Sequence, residues 1–444
     1  MDNKIIEDRT KRTEWFLNDR FGLFMHWGLY SIHGKGEWFP SDKQVSVDNY
    51  KEYFEEFNPV RFDAVKWAKM AKQAGMKYAV LTAKHHDGFC LFDSKYTDFK
   101  VTNTPFKRDI VKEYVEAFRQ EGLKVGLYYS LLDWHHPDYP AYGDMYHPDR
   151  ENEKRRDDYH DFDRYLDYMY NQVEELATNY GKIDIMWYDF SYEGHIGDDW
   201  RGKELIEMVK KHQPHIILNG RIEGSGESYG SIMTDNPSEY AGDFACPEMI
   251  IPPCGLKTDT GKDIPWEACF TLNNNWAYCP NDKMYKSSEQ IIRKIVECTS
   301  KGGNLLLNLS PTAKGDFPDI QKNILHGIGE WMEINSESIY GCGKSEFSKP
   351  EWGRYTQKGN KLYAHILEEP IGALCLSGIK KDRVKKARRL SDGFEMVAMT
   401  PWVAKEFSND LFLNYGEPEW MTFTFEPAVD TVIEIDLLQE NVTK

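Results

Sequence analysis

The sequence predicts an α/β protein, a (β/α)8-like barrel followed by a C-terminal antiparallel β-sandwich. Three observations carry this. From Phe21 onward short apolar runs alternate with amphipathic helical patterns. Nearly every apolar run ends in polar or aromatic residues, as strands of a parallel barrel do where they deliver chemistry to one rim. After about Ile339 the pattern changes to short alternating segments separated by turn signals. A chain of 444 residues also exceeds what one core usually serves, so two domains are expected, residues 1–340 and 341–444.

The strands expected in the first domain are Phe21 to Trp27, Tyr78 to Lys84, Val125 to Ser130, Ile183 to Asp189, Ile216 to Gly220 and Asn304 to Leu309. Between them, apolar residues recur at helical spacing in Phe62 to Ala74, Arg108 to Glu121, Tyr159 to Tyr180, Gly202 to His212, Ser288 to Ser300 and Asp319 to Ile334. The strands needed to complete a barrel are expected within the irregular stretch Ile222 to Pro265, rich in Gly, Pro, Ser and Asp. The second domain offers Gly353 to Thr356, Lys361 to Ile366, Met421 to Phe425 and Thr431 to Leu437.

Composition narrows the function. Lys plus Arg is 55 and Asp plus Glu 72, a net charge of −17, which repels phosphate backbones and anionic membranes and argues against a nucleic-acid partner. No apolar run reaches the roughly 20 residues that span a bilayer. The charged start, Met1 to Trp15, lacks the apolar core of a signal peptide, so the chain as given reads as cytoplasmic; a leader removed earlier would instead mean a secreted, periplasmic or lysosomal protein. The 8 Cys show no paired spacing and are expected as reduced thiols. Aromatic residues make up 14%, and many of the 13 Trp sit beside Asp, Glu or His, a mixture that suits a sugar pocket.

Hydrolysis of a glycoside needs two carboxyl groups around the anomeric carbon, and in retaining enzymes one is an ionised nucleophile. Asp189 is the best candidate, because it ends an apolar strand and follows Trp187 and Tyr188. The alternative is a capping Asp after a strand. His85 and His86 read as hydroxyl-binding imidazoles, metal ligands or polar strand ends. Adjacent strand residues point to opposite faces, so at most one should look into the barrel unless the backbone bulges. No H-x-H or H-E-x-x-H spacing accompanies them, so no metal is expected.

The string Phe21-Gly-Leu-Phe-Met-His-Trp-Gly-Leu-Tyr-Ser, then Gly36-Glu-Trp-Phe and Tyr78-Ala-Val-Leu-Thr-Ala-Lys-His-His-Asp-Gly-Phe, resembles the α-L-fucosidases of glycoside hydrolase family 29. So do Val125-Gly-Leu-Tyr-Tyr-Ser, Asp184-Ile-Met-Trp-Tyr-Asp, Asn219-Gly-Arg, Trp266-Glu with Trp276-Ala-Tyr, and Gly302-Gly-Asn-Leu-Leu-Leu-Asn. The resemblance covers roughly residues 14–340 in order. It implies a barrel with a C-terminal β-sandwich, retention of configuration, no cofactor, and a fucosylated oligosaccharide or glycoconjugate as substrate. It assigns the nucleophile to Asp189 and the fucose-binding groups to His26, Glu37, Trp38, His85, His86, Tyr129, Trp187 and Arg221. For the acid/base it offers Glu248 and, second, Glu267. The alternatives are an exo-glycosidase acting on α-L-galactose-type sugars, a silent fucose-binding protein, and a metal-dependent hydrolase. Linkage preference stays open at this stage, as does a homo-oligomer. The sequon Asn308-Leu-Ser lies on an expected barrel strand and should be inaccessible; Asn441-Val-Thr is the other.

Overall fold

The computed structural model describes residues 2–192, 194–224, 228–399, 404–414 and 428–438. Seven strands, β1 (Phe21–Met25), β2 (Tyr78–Lys84), β3 (Lys124–Ser130), β4 (Ile185–Asp189), β5 (Ile217–Leu218), β6 (Glu267–Thr271) and β7 (Asn304–Leu309), form one sheet in the order β5-β4-β3-β2-β1-β7-β6. Every pairing in it is parallel. The helices of ten or more residues are α1 (Asp2–Asp19), α2 (Ala64–Gln73), α3 (Ile110–Gln120), α4 (Phe162–Asn179), α5 (Gly202–His212), α6 (Ser288–Ser300) and α7 (Asp319–Asn335). Helices α2 to α5 follow β1 to β4, and α6 and α7 follow β6 and β7.

Helix starts are set by capping. Asp63, Asp109 and Asp161 precede α2, α3 and α4, and each accepts a hydrogen bond from the backbone N–H three residues on. This trims the expected ranges, which began two or three residues earlier.

Residues Asp243 to Met249 fill the gap between β5 and β6. Asp243 N donates to Leu218 O (2.6 Å) and Gly220 N to Phe244 O (3.0 Å) on one side. On the other, Ala245 N donates to Pro265 O (2.9 Å), Glu267 N to Ala245 O (2.9 Å) and Met249 N to Cys269 O (3.0 Å). The barrel therefore closes inside the stretch where the missing strands were expected. Pro247 has no N–H, and Gly242 turns at φ +76 with Asn219 O so near that a Cβ would come within 2.4 Å. Both features hide the segment from any strand periodicity. Strand β6 was not among the expected strands.

Side chains alternate across the barrel wall. Phe24, Val80, Tyr128, Ile185, Trp187 and Leu306 pack inside it, while Leu23, Leu81, Tyr129, Met186 and Leu307 pack outward against the helices.

The second sheet is antiparallel, with strands β8 (Gly353–Lys358), β9 (Lys361–Ile366), β10 (Leu374–Leu376), β11 (Val384–Arg389), β12 (Glu395–Met399), β13 (Leu411–Asn414) and β14 (Thr431–Leu437) in the order β10-β13-β12-β11-β14-β9-β8. It has its own core, which includes Leu362, Leu374, Leu413, Ile433 and Ile435. The expected strand Met421 to Phe425 and the sequon at Asn441 lie outside the described residues. Asn308 is 2% exposed on β7, so that sequon is inaccessible. All eight cysteines are free thiols. No helix among the described residues is long and apolar enough to cross a membrane.

Candidate active site

Alternation along each strand decides which residues reach the rim. On β4, Ile185 and Trp187 point inward, so Asp189 follows them; beyond β1, His26 follows Phe24 in the same way. A cavity of about 590 Å³ opens over these strand ends, and His26, Glu37, Trp38, His85, His86, Trp187, Asp189, Arg221 and Glu248 all line it.

Asp189 is held on both oxygens. Oδ1 accepts from Arg221 Nη1 (2.7 Å) and from Phe190 N (3.0 Å); Oδ2 accepts from Tyr128 OH (2.8 Å). Phe190 itself has a left-handed backbone, φ +80, at a residue with a large side chain. Arg221 Nη2 donates to Glu248 Oε2 at 2.7 Å, and the guanidinium lies 4.7 Å from the centre of the Trp187 ring. Burial opposes the charge on Arg221, but Asp189 and Glu248 outweigh it and hold the guanidinium protonated. The Glu248 side chain is 40% exposed, so its carboxyl reaches solvent as well as the cavity.

The histidines are tuned as neutral acceptors. Asn308 Nδ2 donates to Trp276 O (2.7 Å), which leaves Asn308 Oδ1 to accept from His26 Nδ1 (2.7 Å). His26 Nε2 is then the unprotonated nitrogen. Ser130 Oγ donates to Leu132 O (2.7 Å) and so accepts from His86 Nδ1 (2.7 Å), giving His86 the same tautomer. Burial pushes the pKa of His26 down to about 4, and those of His85 and His86 well below the usual imidazole range. Glu37 is buried, which pushes its pKa up, and its Oε2 accepts from Ala277 N at 2.9 Å.

Both adjacent histidines face the cavity, against simple alternation. The register of β2 against β3 shifts between Thr82 and Lys84, and the chain leaves the strand at His85. Lys84 is anchored behind them by a fully buried 2.8 Å ion pair with Asp133.

Two expected residues do not reach the cavity. Tyr129 points outward and donates to Gln172 Oε1 (2.8 Å) in the layer between sheet and helix; Tyr128, its neighbour, takes the place beside Asp189. Tyr128 lies in register with Trp187 on the neighbouring strand and shares its inward face. Glu267 sits at the start of β6, fully buried, where Tyr78 OH donates to it inside the barrel. Burial pushes its pKa up to about 8. Asn308 and Trp276, which stood in the quoted strings without a role, hold and flank His26. Among the described residues, no three His, Cys, Asp or Glu side chains gather as metal ligands.

A family model described as alpha-L-fucosidase matches residues 3–337. The chain belongs to the α-L-fucosidase family. The enzyme is 52% identical to alpha-L-fucosidase isoenzyme 1 from Paenibacillus thiaminolyticus, with a TM-score of 0.92 over 97% of this chain and 100% of that one. It is 30% identical to a family 29 alpha-L-fucosidase from Bacteroides thetaiotaomicron trapped as a covalent intermediate with 2-fluoro-fucosyl fluoride, with a TM-score of 0.81 over 97% of this chain and 96% of that one. Human plasma alpha-L-fucosidase is 29% identical over 406 residues, 84% of this chain and 80% of that protein. The two solved relatives share the two-domain fold, and the chain is an α-L-fucosidase.

The fucosidase cavity is lined by the three imidazoles, Tyr128, Trp187 and Asp189, and also by Tyr146, Tyr192, Glu223 and Ser228.

Proposed function

We propose that the enzyme releases terminal α-L-fucose from fucosylated glycans or glycoconjugates with retention of configuration, through a covalent intermediate on Asp189. The observation that carries this is the single guanidinium of Arg221 bonded to both Asp189 and Glu248 at 2.7 Å. One arginine reaching both carboxyl groups suits the short separation of about 5 to 5.5 Å that retaining hydrolases use.

In the first step an Asp189 oxygen bonds to the anomeric carbon as the glycosidic C–O bond breaks, and Glu248 gives its proton to the departing oxygen. In the second, the Glu248 carboxylate takes a proton from water, the water oxygen bonds to the anomeric carbon, and the Asp189 carboxylate leaves. Asp189 suits the nucleophile because it ends a barrel strand at the cavity and hydrogen bonds from Arg221, Tyr128 and the Phe190 N–H hold both its oxygens in place. Glu248 must gain a proton and release Arg221 as substrate enters, and its 40% exposure gives that proton a route. Glu267 fits the acid role poorly, being sealed inside the barrel below the cavity.

Neutral His26 and His86 offer ring nitrogens that accept hydrogen bonds from sugar hydroxyls, and the Phe24 and Trp276 rings give a methyl group an apolar neighbour. The relative trapped with 2-fluoro-fucosyl fluoride supports the covalent route. Proton NMR of 4-nitrophenyl α-L-fucoside hydrolysis tests the proposal, with the α-L-galactoside and a chelator as controls. Early α-fucose, unaffected by chelator, is expected; β-fucose appearing first overturns the retaining assignment.

A further inference from the structure

Leu81 points outward from β2, so alternation would send Ala83 and His85 outward too and leave Lys84 and His86 inside the barrel. The register shift between Thr82 and Lys84 breaks that order, because it pairs Lys84 with Tyr129, a residue of the outward face. Lys84 accordingly lies on the outer side of the sheet. Its Nζ is 4.5 Å from the centre of the Tyr129 ring, and 5.9 and 5.8 Å from those of Tyr165 and Tyr168 on α4. His85 then follows on the inward side, and His86 joins it where the chain leaves the strand.

An ammonium in that layer needs a carboxylate, and Asp133 supplies it. Oδ2 accepts from Lys84 Nζ at 2.8 Å, with neither side chain more than 1% exposed. Oδ1 accepts from the backbone N–H groups of His135 and His136, each at 2.9 Å. Burial works against the Asp133 carboxylate, but Lys84, with His136 and His135, outweighs it and holds the pKa below its ordinary range. The same loop closes on the cavity histidines. Trp134 N donates to His86 O (2.8 Å), and the Trp134 ring lies 5.6 Å from those of His86 and Trp38. At Gly88, φ +76, a Cβ would come within 2.3 Å of Asp133 Oδ1, so the turn after the histidines packs directly on this carboxylate.

A buried ion pair adds little net stability, since desolvation cancels most of the attraction and apolar residues of like volume serve a core as well. What this pair supplies is direction. An apolar residue at position 84 could settle on either side of the sheet, whereas the ammonium meets Asp133 on the outer side.

We propose that Lys84 and Asp133 are positioning residues for fucose, their ion pair holding the shifted register at the end of β2 and with it the inward aim of His85 and His86. The inference rests on the reading of the cavity imidazoles as acceptors for sugar hydroxyls.

The test is Lys84→Met/Asp133→Asn, which keeps side-chain volume, leaves no buried charge unpaired and retains an acceptor for the His135 and His136 N–H groups. KM for 4-nitrophenyl α-L-fucoside and Ki for free L-fucose should each rise about tenfold, the loss of one hydrogen bond to the sugar. The change in kcat should stay below about threefold, because a contact made equally in the ground and transition states cancels from it. A merely structural role would lower the urea midpoint and leave KM and Ki as in the wild type, and that result overturns the proposal; so does a loss confined to kcat. Asp133→Asn alone is the milder change and should raise Ki about threefold. An unchanged Ki in this single variant overturns the proposal even where the double variant does not fold. Absence of competition by L-fucose in the wild type overturns instead the reading of the imidazoles on which the proposal rests.

Discussion

Arg221 holds Asp189 through a 2.7 Å contact between Nη1 and Oδ1, and its other terminal nitrogen holds Glu248 at the same distance. The guanidinium is buried over Trp187, where a bidentate, always-charged group can serve two carboxylates and a point charge cannot. Arg221→Lys should therefore lower kcat by about a hundredfold or more, a loss typical of removing a preorganised electrostatic contact. Steady-state kinetics on the aryl fucoside, with circular dichroism to confirm folding, checks this.

Asp189→Ala should lower kcat by several orders of magnitude while the protein stays folded. Azide should restore turnover and give the β-fucosyl azide. Turnover near that of the wild type would remove Asp189 from the nucleophile role.

Glu248→Ala should cost more on substrates with poor leaving groups than on nitrophenol, since only the former need the proton. Glu267→Gln should show no such dependence. Equal losses across leaving groups for Glu248→Ala would return the acid to Glu267.

Tyr128→Phe removes a hydrogen bond from Asp189, whereas Tyr129→Phe leaves Gln172 Oε1 without its buried donor. The first should lower kcat by roughly tenfold or more, the worth of a charge-assisted hydrogen bond. The second should leave kcat near wild type and cost about 1 kcal/mol in denaturant unfolding. Reversal of this pattern would restore Tyr129 to the site.

Glu267 and His26 set opposite pH dependences. The folded pKa of Glu267 is raised, from 4.5 to about 8, so the stability linked to its protonation is full below about pH 4.5 and is lost as pH rises through 8. The folded pKa of His26 is lowered, from 6.5 to about 4, so its contribution is present above about pH 6.5 and lost as pH falls through 4. Glu267→Gln should accordingly gain stability relative to wild type between pH 5 and 9, on the order of 4 kcal/mol. Urea unfolding of both proteins at these two pH values measures it; a constant difference would mean that Glu267 is ionised in the fold.

Much of the site was legible because it sits at strand ends. Asp189, His26 and Trp187 follow apolar runs whose period of two fixes their direction, and the resemblance supplied Glu37, Trp38 and Arg221. Tyr129 was misjudged because adjacent tyrosines look alike in sequence, while strand alternation sends one to Asp189 and the other to Gln172. The double histidine went the other way, since a register shift after Thr82 brings both rings to one side.

The sequence by itself determined the alternation of strands and helices, the rim as the place of chemistry and the fucosidase family, because hydrophobic period and residue type are local properties. Only the tertiary structure decided that Asp243 to Met249 closes the barrel, that Arg221 joins Asp189 to Glu248, and that Glu267 lies beneath the cavity. Each depends on contacts between segments distant in the chain, where Pro247 and Gly242 erase periodicity and a carboxyl's surroundings, not its neighbours in sequence, fix its charge.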